Sequence, residues 1–260
     1  MRRKLQSITD KLSPFFLIVI ILLVWQGLVS FSIVPNFMLP SPVQVVQAFI
    51  DDFPSLMSNA ATSLQETFYG MLIAVVLAFL SAFLMDRFRL VKKSLYPILI
   101  LTQTIPTVAI APLLVLWLGY DMTPKIVLVV ISCYFPIAVG LLNGFCSADP
   151  DVINLMRTMG STRWQIFCHV KIPSSLNNFF SGLRISVSYS VIGAVVAEWL
   201  GGNSGLGVYM TRVRKSYAYD RMFAVILLVS VISLVLMKLV DVVQRLCMPW
   251  ERSRREAEAA

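Results

Sequence analysis

The chain has 260 residues, 57% of them hydrophobic and 14% charged, with a mean hydropathy of +0.77. Soluble domains run nearer about 25% charged, so this composition excludes that class and points to a bilayer. The formal charge of +8 is not arranged as a nucleic-acid patch, because no basic stretch carries interleaved aromatic residues.

A helix needs about 20 mostly apolar residues to cross the hydrocarbon. Six such stretches are read here, at roughly residues 14–34, 60–85, 95–118, 125–145, 178–200 and 223–247. The first is longer than the core of a secretory signal and no small-x-small cleavage site follows it, so it is expected to stay as an anchor. In the long connection after it, LPSP at Leu39–Pro42 stiffens the chain, and the residues that follow are expected to lie along the membrane surface.

The third span carries Pro97, Pro106 and Pro112 together with Thr102, Gln103, Thr104 and Thr107. Each proline removes a backbone hydrogen bond, and such breaks are tolerated at depth where protein or a watery cavity covers them, so this span is expected to be covered by protein or to line a cavity. In the fourth span, GLLNG at Gly140–Gly144 reads as a close helix-packing contact.

After the fourth span comes NLMRTMGSTRWQIFCHVKIP, from Asn154 to Pro173. Asp149 suits an N-cap, Pro150 the first helical position, and Asp151 the positive helix end. Val152, Leu155, Met156 and Met159 then share one helical face. Gly160 permits a left-handed stop, Ser161 is expected to cap a second short helix, and Trp164, Phe167 and Cys168 form its stripe until Pro173 ends it. The product is a helix, an elbow and a helix with an apolar side. The molecule's own spans, the lipid interface or another protein would cover that side.

The fifth span adds Ser186, Ser188, Tyr189 and Ser190 and ends at Glu198, whose carboxyl near a membrane boundary makes it a candidate gate residue. The run GGNSGLG beyond it reads as a flexible turn or gate loop. The terminal ERSRREAEAA reads as a frayed helical tail.

Basic residues set the orientation. With the N-terminus inside, seventeen of the twenty-two fall on the cytoplasmic side, leaving Lys125, Arg212, Arg214, Lys215 and Arg221 outside. Cys133, Cys146, Cys168 and Cys247 have no CxxC spacing, and His169 is the only histidine, so neither a disulfide framework nor a metal site is expected. No G-x-x-x-x-G-K-[ST] phosphate loop occurs, so the chain is not expected to hydrolyse ATP. A membrane enzyme would need clustered acids, histidines or a nucleophile with its base. An ion-driven transporter would show more spans, repeats and intramembrane charges. Both classes stay open on the residues alone.

A resemblance sharpens the reading. Aligned on Asn154, the stretch is similar to the EAA loop of ABC importer permeases, with Gly160, Phe167, Val170, Ile172 and Pro173 in register. Asn154, Leu155 and Met156 stand where the family has Glu-Ala-Ala. LPSP at 39–42, TSLQETFYG at 62–70, QTIPTVAIAPL at 103–113, WLG at 117–119 and AEWLGGNSGLG at 197–207 resemble the group that imports nitrate, sulfonate, taurine and thiamine-precursor pyrimidines. The resemblance implies an all-α type I permease with six transmembrane helices and two short cytoplasmic coupling helices. It would comprise an anchor helix and outer loop (1–59), a permease domain (60–247, coupling loop about 149–173) and a cytoplasmic tail (248–260). It implies coupling to the ATPase through Asn154, Met156, Gly160, Ser161, Phe167, Val170 and Pro173. The expected path or gate is Thr102, Gln103, Thr104, Pro106, Thr107, Ser186, Tyr189, Ser190 and Glu198. Expected partners are a cytoplasmic ATPase dimer that uses ATP and Mg, an extracytoplasmic solute-binding protein, a second copy of the chain and membrane lipid, in a bacterial cell membrane with both termini inside. No cofactor and no nucleic acid are expected. The expected solute is a small organic molecule such as a thiamine-precursor pyrimidine, with sulfonate, taurine or nitrate as alternatives.

Overall fold

The computed structural model describes residues 2–32, 34–35 and 38–250, with side chains from residue 16 onward. The basic N-terminal side chains and the tail from residue 251 therefore lie outside the described residues. Those described form helices and turns only: α1 (Arg2–Ser30), α2 (Pro42–Asp51), α3 (Phe53–Arg87), α4 (Arg89–Thr104), α5 (Thr107–Leu118), α6 (Met122–Cys146), α7 (Pro150–Thr158), α8 (Arg163–Ile166), a π-helical turn (Phe167–Lys171), α9 (Ile172–Leu200), α10 (Leu206–Lys215) and α11 (Tyr219–Cys247).

Four uninterrupted helical stretches are long and apolar enough to cross a membrane: Phe53–Arg87, Met122–Cys146, Arg163–Leu200 and Tyr219–Cys247. The expected third span differs from the sequence reading. It is two helices, α4 and α5, bent by 100° at Ile105 and Pro106, and it brings the number to five when counted as one span. Ile105 and Pro106 are both extended (ψ 120° and 121°), because the proline cannot continue the hydrogen-bond ladder and pushes its predecessor out of the helical region. The expected first span falls on α1, whose described apolar run is Phe16–Ser30.

The chain divides into two compact units. One holds Met1–Ser58 and Tyr209–Leu228. In it, LPSP starts α2: Ser41 caps the helix and exchanges hydrogen bonds with Gln44, with Pro42 at the first turn. The Trp25 indole N–H donates to the Pro40 carbonyl at 3.0 Å, and the Trp25 ring meets Phe223 at 5.8 Å. The Tyr209 hydroxyl donates to Asp52, which Arg221 also approaches at 3.6 Å. Burial, with the Asp52 carboxylate beside it, raises the Tyr209 phenol above its ordinary pKa.

The second unit holds Asn59–Val208 and Val229–Ala260. Its centre is the α6–α9 pair. Gly140 and Gly144 on α6 face the backbone of Asn178 and Ser175, while Gly182 on α9 faces Pro136, so the helices approach where no Cβ intervenes. This bears out the packing reading of GLLNG; in lipid such close contact replaces the hydrophobic drive. Ala74, Ala78 and Ala82, four residues apart on α3, join the same core with Cys133, Ile137 and Phe145. Outward-facing Leu72, Leu80 and Leu84 on α3 and Leu234 and Leu239 on α11 leave apolar surface that water does not tolerate and lipid does.

Candidate functional site

Three places in the second unit collect the polar and motif residues. The first is the break between α4 and α5. Thr102, Gln103, Ile105, Pro106 and Thr107 line a cavity of about 270 Å³ together with Ile131, Ser132, Tyr189, Ile192 and Gly193. Thr102 donates to the Leu99 carbonyl (2.7 Å) and Ser132 to the Leu128 carbonyl (2.9 Å), so these hydroxyls spend their protons within their own helices and keep acceptor capacity. None of the lining side chains is ionisable in the neutral range, and Tyr189 supplies an aromatic face.

Five of the expected path residues, Thr102, Gln103, Pro106, Thr107 and Tyr189, thus converge. The others are placed elsewhere. Thr104 is exposed and bonded to Leu101. Ser186 is fully buried and bridges helices, donating to the Cys133 carbonyl (2.9 Å) while the Cys133 thiol donates to the Ser186 carbonyl (3.2 Å). Ser190 is buried and turned back on Val187.

The second place is a buried polar knot around Glu198. Ser63 donates to Glu198 Oε1 at 2.6 Å, and the Gly207 N–H donates to Oε2 at 2.5 Å. The Leu206 N–H donates to Ser63 Oγ (2.9 Å) and the Gly205 N–H to Asn59 Oδ1 (3.0 Å). Lys125 donates to Glu66 Oε1 (2.6 Å) and approaches the Ser204 carbonyl (3.4 Å). Glu66, Glu198 and Lys125 are at most 4% exposed. Lys125, expected among the outer basic residues, is therefore one half of a buried ion pair and carries no topological information. The run 201–207, expected to be flexible, is instead folded tightly over this knot: Gly205 has φ +121° and a Cβ there would strike the Glu198 carboxyl, while one on Gly202 would strike the Lys125 ammonium. Sequence reading had Glu198 but not Ser63, Glu66 or Lys125. The signal for Ser63 and Glu66 lay in the quoted TSLQETFYG, whereas Lys125 offered only its basic character.

The third place is the elbow. Asp149 caps α7 by accepting from the Asp151 N–H at 2.9 Å, with Pro150 next, as the sequence reading expects. The helix ends in a Schellman turn: the Ser161 N–H donates to the Met156 carbonyl and the Gly160 N–H to that of Arg157, both at 3.0 Å, with Gly160 at φ +81°. Ser161 is thereby used up in closing α7. The cap of the next helix is Thr162, in a reciprocal pair with Gln165, and this corrects the expected Ser161 cap.

Pro173 does not end that helix either. α8 runs through the π-helical turn into α9 as one stretch from Arg163 to Leu200. Pro173 sits in the first turn of α9, where its missing N–H follows the register shift of the π turn, and the Ile172 N–H reaches back five residues to Phe167. Phe167 and Val170 are buried, Phe167 packing on Phe83 (4.9 Å) and Phe145 (5.1 Å). Lys171 donates to both oxygens of Asp86 at 2.6 and 2.7 Å, tying the turn to the end of α3. Val152, Leu155 and Met159 stay exposed, Asn154 with them, and Met156 is partly covered. Among the described residues no group of three or more His, Cys, Asp or Glu converges as a metal site would require.

Comparison with known proteins agrees with this architecture. The formylaminopyrimidine transport permease protein ThiX of Halalkalibacterium halodurans is 33% identical over 98% of this chain and 100% of its own. The riboflavin transport system permease protein RibX of Chloroflexus aurantiacus is 29% identical (91% and 89% covered), and the taurine transport system permease protein TauC of Escherichia coli 28% identical (89% and 86% covered). Among solved structures, an amino acid ABC transporter superposes with a TM-score of 0.60 at 18% identity over 77% of this chain and 95% of its own. The inward-facing MetNI methionine ABC transporter gives 0.59 at 19% over 74% and 94%, so the fold is that of ABC importer permeases. Residues 70–250 match the family described as binding-protein-dependent transport system inner membrane component, and the chain belongs to that family, a transport permease subunit of an ABC importer and not a catalytic enzyme.

Proposed function

We propose that the elbow is the joint through which a separate cytoplasmic ATPase drives this permease. The observation that carries the reading is the capped helix α7, closed on both sides by local hydrogen bonds and holding Val152, Leu155 and Met159 out of the protein core. An apolar face on a helix too short to be stable alone calls for a partner surface. Asn154, Met156, Gly160 and Ser161 belong to the joint itself. Phe167, Val170 and Pro173 act behind it, fastening it to the bundle. The ATPase dimer supplies the ATP and Mg chemistry, two copies of this chain enclose the path, and a binding protein delivers solute from outside. Both termini lie on the ATPase side. Residues 1–59 serve as anchor and outer loop, 60–247 as the permease domain and 248–260 as the tail. Nucleotide-driven closure biases the joint between two positions and so alternates access to the path.

The path passes the cavity at the α4–α5 break, with Thr102, Gln103, Thr107 and Tyr189 as solute contacts and Glu198 as the residue that holds the outer loop. Thr104, Ser186 and Ser190 support the helices that carry them. A lining without a cation suits a neutral planar heterocycle, such as the pyrimidine carried by ThiX, better than a sulfonate.

One experiment tests both levels. Tagged native chain and its Gly160→Asp variant are purified from gently solubilised membranes of a deletion strain, and growth of the same cells is scored on single nutrients. The expected outcome is an ATPase that accompanies the native chain, is lost from the variant, and supports growth on a pyrimidine precursor. Undiminished growth and retained ATPase in the variant would refute the joint. Rescue by a sulfonate alone would refute the solute.

A further inference from the structure

Beside the elbow lies a cavity of about 670 Å³ lined by Phe83, Asp86 and Arg87 of α3, Ile153 and Arg157 of α7, Arg163, Trp164 and Ile166 of α8, and Phe167 and Lys171 of the π turn. Its charges do not cancel: four cations against the single Asp86 leave a net +3. Asp86 is already engaged by Lys171. Arg157 and Arg163 have no acidic partner among the described residues, and Arg87 only leans over the Phe88 ring at 5.3 Å. Three guanidiniums around one concavity repel each other unless an anion joins them, and their forked donors match phosphate oxygens.

A groove of about 320 Å³ is lined by Val75, Val76, Phe79 and Leu80 of α3, by Leu141 of α6, and by Ile172, Ser175, Leu176 and Phe179 of α9. Ser175 is its one polar residue and gives its hydroxyl proton to the Ile172 carbonyl at 2.8 Å, so the groove offers a ligand no side-chain hydrogen-bond donor. Cavity and groove follow the same pair of helices. On α3 the lining steps by three or four through Val76, Phe79, Phe83 and Arg87. On the other wall it steps by four through Phe167, Lys171, Ser175 and Phe179. The Phe83 and Phe167 rings, in edge contact at 4.9 Å, line the cavity one helical turn from the groove residues Phe79 and Ile172. From Arg87 to Val76 the groove rises about 16 Å along α3, half of the roughly 30 Å hydrocarbon thickness. Trp164 is 63% exposed at the mouth and stacked on Phe167, where an interfacial aromatic belongs.

We infer that the cavity and groove together form a binding site for one anionic phospholipid, its phosphate held by Arg87, Arg157 and Arg163 and an acyl chain laid between α3 and α9. A free phosphate would use the arginines and leave the groove empty. The lipid uses both, and it would brace α7 against α3 from below the elbow. The inference does not depend on which solute is carried.

The test uses the full chain in detergent micelles, titrated with phosphatidylglycerol or phosphatidylcholine brominated in the acyl chains. The part of the tryptophan quenching that disappears in Trp164→Phe reports this cavity. Brominated phosphatidylglycerol is expected to quench at much lower mole fraction than phosphatidylcholine. At about a factor of five for each basic residue near a lipid surface, Arg157→Gln with Arg163→Gln is expected to weaken that preference about 25-fold. Val76→Phe, which fills the groove from an exposed position, is expected to weaken retention of phosphatidylglycerol while leaving the arginines intact. Equal quenching by the two lipids, or a preference unchanged in the double variant, overturns the proposal. Full reversal of the quenching by millimolar inorganic phosphate assigns the cavity to a free anion instead, and release of the lipid on assembly with the ATPase assigns it to that partner.

Discussion

Two of the glycine-bearing turns of the second unit, at Gly160 and at residues 201–207, are built for opposite reasons. At Gly160 a Cβ would meet nothing within 4 Å, so the glycine is there for its φ of +81° alone. At residues 201–207 the glycines are hemmed in by Glu198, Lys125 and the Val195 carbonyl, and closeness as well as conformation demands them. The crowded turn closes over a buried Lys125–Glu66 ion pair and a Glu198 carboxyl held by Ser63 and the Gly207 N–H. The open one carries unpaired arginines and exposed apolar side chains. A turn closed on itself holds structure, and a turn left open is available to something else.

Three substitutions probe that contrast, each read as a thermal unfolding midpoint in one detergent. Lys125→Ala strikes the knot hardest, because it strands Glu66 and should cost about 3–5 kcal/mol; a midpoint like that of the native chain would mean the knot is not a structural centre. Gly205→Ala forces a side chain into the Glu198 carboxyl at a φ that side chains rarely adopt, for a loss of about 3 kcal/mol. Gly160→Ala has room for its Cβ and pays only the left-handed backbone term, about 1 kcal/mol. If the two alanine variants melt together, the difference between the turns is not steric.

Local chemistry was legible in the sequence wherever partners lie within a few residues. Asp149, Pro150 and Gly160 act at the expected positions, because caps and stops are set by neighbours three to five residues away. The same locality misplaced the cap at Ser161: a Schellman turn consumes one residue beyond the glycine, so the next helix starts from Thr162. Pro173 was read as a stop because a proline breaks an α ladder, whereas a π turn ahead of it lets the helix continue. Pro97, Pro106 and Pro112 alike signalled a break in the third span, but only Pro106 makes one, Pro97 and Pro112 staying inside α4 and α5, and the 100° angle had no local signal. Most of the knot was invisible, since Ser63 and Glu198 are 135 residues apart and Glu66 and Lys125 are 59 apart. No periodicity couples positions at such separations. Tyr189 and Gln103 were picked out one by one as polar residues in spans, and only tertiary packing shows that they share a cavity while Ser186 and Ser190 do not.

The unbroken stretch from Arg163 to Leu200 has a mechanical consequence. At 1.5 Å per residue its 38 residues form a rod about 57 Å long, with the elbow at one end and Glu198 near the other. A tilt of about 5° pivoting at one tip carries the other through about 5 Å, the height of one helical turn. Any displacement of the elbow end would therefore reach the far end through one continuous helix, whose π turn lies at the elbow end and is held there by buried Phe167 and Val170 and by the Lys171–Asp86 pair.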